Sequence, residues 1–151
     1  MRLVVLLALA GAATAQAPSS YKPFGVLADV MQSILLPNSE VVFGVTRTAP
    51  KNDMEWANVE SSAAVLAESG NLLLMRGRLR ENGKPVPVQS ADWKKRVQAL
   101  VDSAKGAHKA AQSKDPEAVF VACEPLYQAC FGCHQAYRFC PTCPEAAPPE
   151  K

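Results

Sequence analysis

The chain has 151 residues, with 16 Lys and Arg against 14 Asp and Glu, and a formal net charge of +2 at pH 7. This length fits one domain, and without a Lys/Arg cluster so small a charge argues against a nucleic-acid partner. Hydrophobic residues make up 48% of the chain and charged residues 20%, which is typical of a globular protein and argues against disorder or a multi-span membrane protein.

The first 15 residues predict a cleaved signal peptide. Arg2 precedes an apolar run over residues 3–13, which is shorter than the roughly 20 residues that a membrane-spanning helix needs, and small residues follow it. We expect cleavage after Ala15, export, and no membrane span in the mature chain. The predicted organisation is therefore a signal peptide over 1–15, a helical domain over 16–139, and a tail containing Pro and Cys over 140–151.

The first two helices are predicted from apolar residues at helical spacing. Helix one begins near Phe24, and Pro37 should kink or interrupt it. Helix two begins with Asn52 or Asp53 as N-cap and stops near Gly77, unless the pair Gly70-Asn71 ends it earlier. The apolar stripes contain Leu27, Met31, Ile34, Leu35, Val41, Val42 and Val45 in helix one, and Trp56, Val59, Ala63, Leu66, Gly70 and Leu73 in helix two.

Residues 78–88 contain Gly and Pro and cannot form regular helix, so helix three begins after them at Ser90 or Ala91. Its stripe includes His108, which we expect to be a half-buried histidine with a hydrogen bond rather than a metal ligand, because nothing nearby has metal-site spacing. The other members of this stripe are Trp93, Val97, Leu100, Val101, Ala104 and Ala111.

Helix four has the clearest start, with Asp115 as N-cap and Pro116 at the first helical position. It should run to about Arg138 and bend at Pro125. No alternating strand pattern of convincing length is present, and short connections join helices one and two and helices three and four. The prediction is an all-α protein folded as an up-down-up-down four-helix bundle.

Helix four contains the motif Cys130-Phe131-Gly132-Cys133-His134, the C-x-x-C-H pattern of c-type haem attachment. Residues three and four apart lie on one helix face, so both sulfurs can form thioethers to haem vinyl groups while the imidazole lies under the iron. The motif predicts one covalent haem c held by Cys130 and Cys133, with His134 as an iron ligand. The alternative is a disulfide between the two cysteines beside an ordinary histidine.

Five cysteines are an odd number, so disulfides alone leave one unpaired. We expect a Cys140–Cys143 disulfide in the tail and Cys123 as a buried thiol; the alternative is a disulfide from Cys123 to the tail. A different hypothesis makes Cys130, Cys133, Cys140 and Cys143 a thiol redox or zinc-binding module. The gap of six residues between the pairs is far below the usual zinc spacing, and no βαβ context for a thioredoxin-like site is visible.

After the motif come Gln135-Ala136-Tyr137-Arg138, two residues followed by an aromatic and a basic one. The chain thereby resembles the class II c-type cytochromes, the cytochrome c prime family, and the resemblance extends upstream to residues 27–31 and 67–75. It implies a four-helix bundle with one haem in the bacterial periplasm, often a homodimer, and adds Tyr137 and Arg138 to the expected cofactor-binding residues. Pro125 and the extra cysteines Cys123, Cys140 and Cys143 depart from the family pattern.

Two functions share this motif. In one, both axial positions of the iron are filled and the protein carries electrons between redox partner proteins by Fe(II)/Fe(III) cycling, without acting as an enzyme. In the family's other branch, the distal position stays open behind an apolar side chain and binds nitric oxide or carbon monoxide. The sixth ligand distinguishes them. We expect the six-coordinate, low-spin, electron-transfer branch.

Met31 is the expected sixth ligand. In an up-down-up-down bundle Met54 lies at the far end from His134, whereas Met31 and Met75 both lie at its level. Met31 falls on the apolar stripe of its helix and Met75 does not. The resemblance agrees, because six-coordinate members of the family take a methionine from this place in the first helix. The alternatives are that Met31 only packs against the haem, or that Met75 is the ligand.

Overall fold

The computed structural model describes residues 21–138, which form four helices and no strand apart from an isolated antiparallel bridge between Leu79 and Pro85. The helices pack as an up-down-up-down bundle, which confirms the predicted all-α class. No helix in this part of the chain combines the length and the apolar character that crossing a membrane requires. The predicted signal peptide, its expected cleavage site and the predicted tail over 140–151 lie outside the described residues. The bundle consists of α1 (Leu27–Gly44), α2 (Asp53–Leu73), α3 (Ala91–Gln112) and α4 (Pro116–Tyr137).

Helix α1 changes its winding along its length. It is α-helical over Leu27–Val30, π-helical over Met31–Leu35 and α-helical again over Leu36–Gly44. The Leu36 amide donates to the carbonyl of Met31, five residues back, which closes the wide turn. Pro37 follows in the first turn of the last segment. The chain therefore accommodates Pro37 by a π turn in front of it, and the helix continues beyond the proline.

The start of α1 corrects the prediction. The helix begins at Leu27 rather than near Phe24, which is fully exposed. The Val26 amide donates to the Asp29 carboxylate at 2.8 Å, which satisfies one of the amides that a helix start leaves unpaired. This local bond fixes the first turn.

Helix α2 begins as predicted and ends between the two predicted positions. Asn52 is its N-cap and accepts from the Glu55 amide at 3.0 Å. The helix ends at Leu73 because side chains from outside it take its last carbonyls: Trp93 Nε1 donates to Leu73 at 3.1 Å and Arg78 Nε donates to Leu72 at 3.4 Å.

The last two helices start where the sequence predicts. Ser90 caps α3 and Asp115 caps α4, with Pro116 at the first helical position. Helix α4 continues as an α-helix through Pro125 to Tyr137. The Ser103 hydroxyl of α3 lies 3.2 Å from the Pro125 carbonyl, so α3 contacts the helix at this point.

The predicted stripes form the core. Helix α2 packs extensively on α3, and α3 on α4, while α1 meets α4 chiefly through its last segment. Near Met31 and His134, α1 and α4 are instead separated by cavities. No residue of the predicted stripes is exposed. Most are buried, and the half-buried members are Leu27, Met31, Ile34, Val41, Val101 and His108. The core also includes Val30, Ala107, Val119 and Leu126, which the sequence stripes did not contain.

The segment after α2 folds back over this end of the bundle. Arg78 is buried, and its Nη1 donates to the Gly25 carbonyl at 2.8 Å. The Leu27 amide donates to the Leu79 carbonyl at 2.8 Å. These bonds fix the segment beside the start of α1, close to Met31.

Candidate functional site

Cys130, Cys133 and His134 lie together on one face of the last turns of α4. All three are half-buried, and all three line one cavity. Their common face follows from helical spacing, since residues three and four apart lie one above the other. Cys130 and Cys133 are thiols and are not joined in a disulfide.

Two adjoining cavities of about 280 and 310 Å³ lie against this face. The first reaches into the bundle and is lined mainly by apolar side chains from all four helices. The second opens toward the loop after α2 and contains more polar groups. The residues that line both cavities are Met31, Gln32, Cys133, His134 and Arg138.

The three methionines within residues 21–138 occupy different places. Met31 lines both cavities together with His134. Met75 lines another cavity, near the start of α1, and its sulfur lies 3.8 Å from Arg78 Nη2. Met54 is 79% exposed in the first turn of α2. Of the three, Met31 alone shares a cavity with the motif.

The electrostatics of the motif keep its groups uncharged. Burial raises the pKa of the Cys133 thiol to about 11, with Arg96 opposing the rise, and burial also raises the pKa of the Cys130 thiol. Burial, and then the positive charge of Arg138, lower the pKa of His134. A neutral imidazole is the form that binds iron.

A polar network connects α3 to the end of α4. Arg96 Nη1 donates to the Gly132 carbonyl at 2.7 Å, and its Nε donates to Asp92 at 2.7 Å. The Tyr137 hydroxyl donates to the same carboxylate at 2.8 Å, and its ring meets the edge of Trp93 at 4.9 Å. The hydrogen bonds from Arg96 and Tyr137 hold the pKa of Asp92 below its usual value. The network therefore fixes the turn that contains the motif.

Sequence reasoning missed this network, although the pair Asp92 and Arg96 has the i,i+4 spacing of a helical ion pair. It also missed Arg80, which lines the second cavity. Tyr137 lines that cavity too, and Arg138 lines both. The expected cofactor-binding residues thus lie together.

The other candidate residues lie elsewhere. His108 lines neither cavity and is half-buried, as predicted, and its Nε2 lies 3.4 Å from the Glu60 carboxylate. Cys123 is a buried thiol in α4, with its sulfur 3.9 Å from the Val42 carbonyl. Over residues 21–138, no three His, Cys, Asp or Glu side chains are grouped to hold a metal ion. Cys140 and Cys143 lie outside the described residues.

The residues around the cavities fit a covalently bound haem. Two thiols and an imidazole on one wall provide the attachment and ligation groups, and the first cavity is apolar enough for a macrocycle. The opposite wall presents the Met31 thioether, a ligand that occurs in c-type cytochromes. Arginine side chains at the second cavity suit the acidic groups of such a cofactor.

Comparison with known proteins agrees with this fit. A family model described as Cytochrome C' matches residues 86–138, which include α3, α4 and the whole haem motif but not Met31. No curated protein and no solved structure matches the chain. The similarity over the last two helices supports a haem c protein of the cytochrome c prime type, acting in electron transfer or in gas binding.

Proposed function

We propose that the protein is a periplasmic electron-transfer cytochrome with one haem, attached through Cys130 and Cys133 and ligated by His134 and Met31. The observation that carries this proposal is that Met31 of α1 and His134 of α4 line the same two cavities. When bound there, the haem would supply an iron that changes between Fe(II) and Fe(III).

The protein's own groups prepare this site. The lowered pKa of His134 keeps its imidazole neutral for ligation. Arg96 holds the Gly132 carbonyl between the two cysteines, which limits movement of the attachment turn. Apolar side chains such as Leu66 and Leu100 line the inner cavity and exclude water, and a dry surrounding helps to set a haem potential.

With both His134 and Met31 holding the iron, the haem would leave no site there for a substrate. The proposal therefore includes redox partner proteins, to which electrons pass without chemistry on a bound substrate, and no enzymatic activity. The similarity to the Cytochrome C' family over residues 86–138 supports the haem. Those residues do not include Met31, so its assignment as the sixth ligand rests only on its position beside the cavities.

The test is an absorption spectrum of the haem-loaded wild type beside Met31→Ala and Met75→Ala. We expect a low-spin wild type, a high-spin Met31→Ala variant that binds carbon monoxide, and a Met75→Ala variant with the wild-type spectrum. Met75→Ala is the matched control because it removes the same side chain at a different cavity. A low-spin spectrum that persists in Met31→Ala would contradict the assignment.

Gas binding is the second candidate function. Leu35, Leu36 and Phe43 line the first cavity near Met31, so the α1 side of the site is mainly apolar even without the thioether, with Gln32 and Ser39 as its polar residues. An apolar distal wall suits a small diatomic gas if Met31 packs without ligating. A wild-type protein that is already high-spin and binds carbon monoxide would favour this function over electron transfer.

The thiol or zinc hypothesis has less support. Reactive thiols have lowered pKa values, whereas burial raises those of Cys130 and Cys133, and within the part of the chain that the structure describes no three His, Cys, Asp or Glu side chains are grouped to hold a metal ion. Metal analysis of the purified protein distinguishes the haem proposal from the zinc hypothesis. We expect iron, and zinc in place of iron would support the zinc hypothesis.

A further inference from the structure

Arg80 lies at the rim of the second cavity, in a tight turn of the loop after α2. Its amide donates to the Lys84 carbonyl at 2.8 Å, and its carbonyl accepts from the Gly83 amide at 2.9 Å. Gly83 has a φ of +76°, a conformation that side chains disfavour, so the glycine permits the turn. The backbone therefore holds Arg80 in a fixed position beside the cavity.

The side chain of Arg80 contains a buried polar atom that forms no hydrogen bond. The Nε of Arg80 is buried and has no hydrogen-bond partner within residues 21–138. An unsatisfied donor of this kind costs free energy, and native structures contain few of them. Glu81 and Asn82 line the same cavity, yet neither accepts from Arg80 Nε.

The two cavities differ in a way that suits the two sides of a haem. The inner cavity is largely apolar, although Arg96 and Arg138 line it, whereas the second is more polar and adds Arg80 and Asn82 beside a single carboxylate, Glu81. A haem has an apolar macrocycle and two propionate carboxylates at one edge. A guanidinium can donate to a carboxylate through Nε and one Nη together, which is a strong and directional pairing.

We propose that Arg80 anchors a haem propionate in the second cavity, a role that rests on the proposed haem function. The propionate satisfies the buried Nε, and the fixed turn makes Arg80 a positioning group for the polar edge of the haem. Glu81 opposes an anion at this place, and Arg80 and Arg138 together outweigh it in charge.

The experiment compares haem-loaded wild type, Arg80→Met, Arg80→Lys and Lys84→Met. Lys84 is the matched control because it is exposed in the same turn, carries the same charge and lines neither cavity. Resonance Raman spectra report the propionate bending bands, and urea titrations report the unfolding equilibrium.

In Arg80→Met we expect shifted propionate bands and an unfolding equilibrium constant raised about tenfold or more, since a charge-assisted hydrogen bond is lost. Lys84→Met should keep the wild-type bands and change that constant less than about threefold. Arg80→Lys keeps the positive charge, so it should fold even if Arg80→Met does not. Its propionate bands should shift, because lysine lacks the paired Nε and Nη donors of the guanidinium.

Propionate bands in haem-loaded Arg80→Met or Arg80→Lys that match the wild type would overturn this inference and leave the proposed function standing. A crystal structure of the haem-loaded wild type with Arg80 beyond hydrogen-bonding distance of both propionates would do the same. A wild-type protein without covalent haem would overturn the proposed function and this inference together.

Discussion

The close approach of α2 and α3 predicts that Gly70→Ala destabilises the protein. In an isolated helix this change stabilises by about 1 kcal/mol, because alanine has the higher helix propensity. Here a Cβ at Gly70 would overlap the Val101 methyl and would press on Val97, at 3.4 Å. Overpacking of this kind costs about 1 to 3 kcal/mol, and a β-branched side chain on a packed helix cannot turn away freely. We expect overpacking to outweigh the gain in helix propensity, so Gly70→Ala should lower the free energy of unfolding by about 1 kcal/mol.

The assay is urea unfolding of the haem-loaded protein, in which the midpoint should fall while the slope stays constant. Gly106→Ala is the control, because nothing lies within 4 Å of a Cβ at that exposed position of α3. Gly106→Ala should raise the free energy of unfolding by up to about 1 kcal/mol, through helix propensity alone. The second change Val101→Ala should recover part of the loss in Gly70→Ala. A Gly70→Ala variant as stable as Gly106→Ala would refute the packing argument.

Three further predictions concern the motif, the polar network and a helix cap. Cys133→Ala should leave haem attached by one thioether at Cys130, seen by mass spectrometry as a lower haem yield in a bundle that still folds. Because Arg96 and Tyr137 depress the pKa of Asp92, its contribution to stability should be present above its ordinary pKa of 3.8 and lost as the pH falls through the folded pKa. Asp92→Asn should therefore unfold at a lower urea concentration near neutral pH and approach the wild type in acid; a constant difference at every pH would contradict this. Asn52→Ala removes the cap of α2 and should cost about 1 kcal/mol in the same titration.

Local sequence signals predicted much of the fold. Asn52, Ser90 and Asp115 cap their helices because a short polar side chain can satisfy amides only a few residues away, and such signals are visible in sequence. The apolar stripes were also predictable, since helical periodicity decides which residues face the core. The shared face of Cys130, Cys133 and His134 follows from the same periodicity.

Features that depend on distant residues were not predictable. The Leu73 carbonyl at the end of α2 accepts from Trp93 Nε1, a bond that spans 20 residues. The bond from Arg96 to Gly132 spans 36 residues. The position of Arg80 beside the motif likewise depends on how the loop folds over the bundle.

The π turn of α1 is an intermediate case. The sequence contains Pro37, and the predicted disturbance is present, but as a change in winding over Met31–Leu35 rather than a kink at the proline. A proline in a helix removes one backbone hydrogen bond, because it has no N–H, and its ring needs space near the carbonyl four residues back. Which solution the chain adopts depends on packing. The π segment begins at Met31, and π turns are frequent at functional sites.

The central claim is that haem is covalently attached to Cys130 and Cys133, and peptide mass spectrometry of the mature exported protein tests it most directly. Protein produced with a c-type haem maturation system and digested should give a peptide containing residues 130–134 with the mass of one haem added. The same peptide should contain no free thiol at Cys130 or Cys133. A peptide of unmodified mass, with both thiols open to alkylation, would contradict the account.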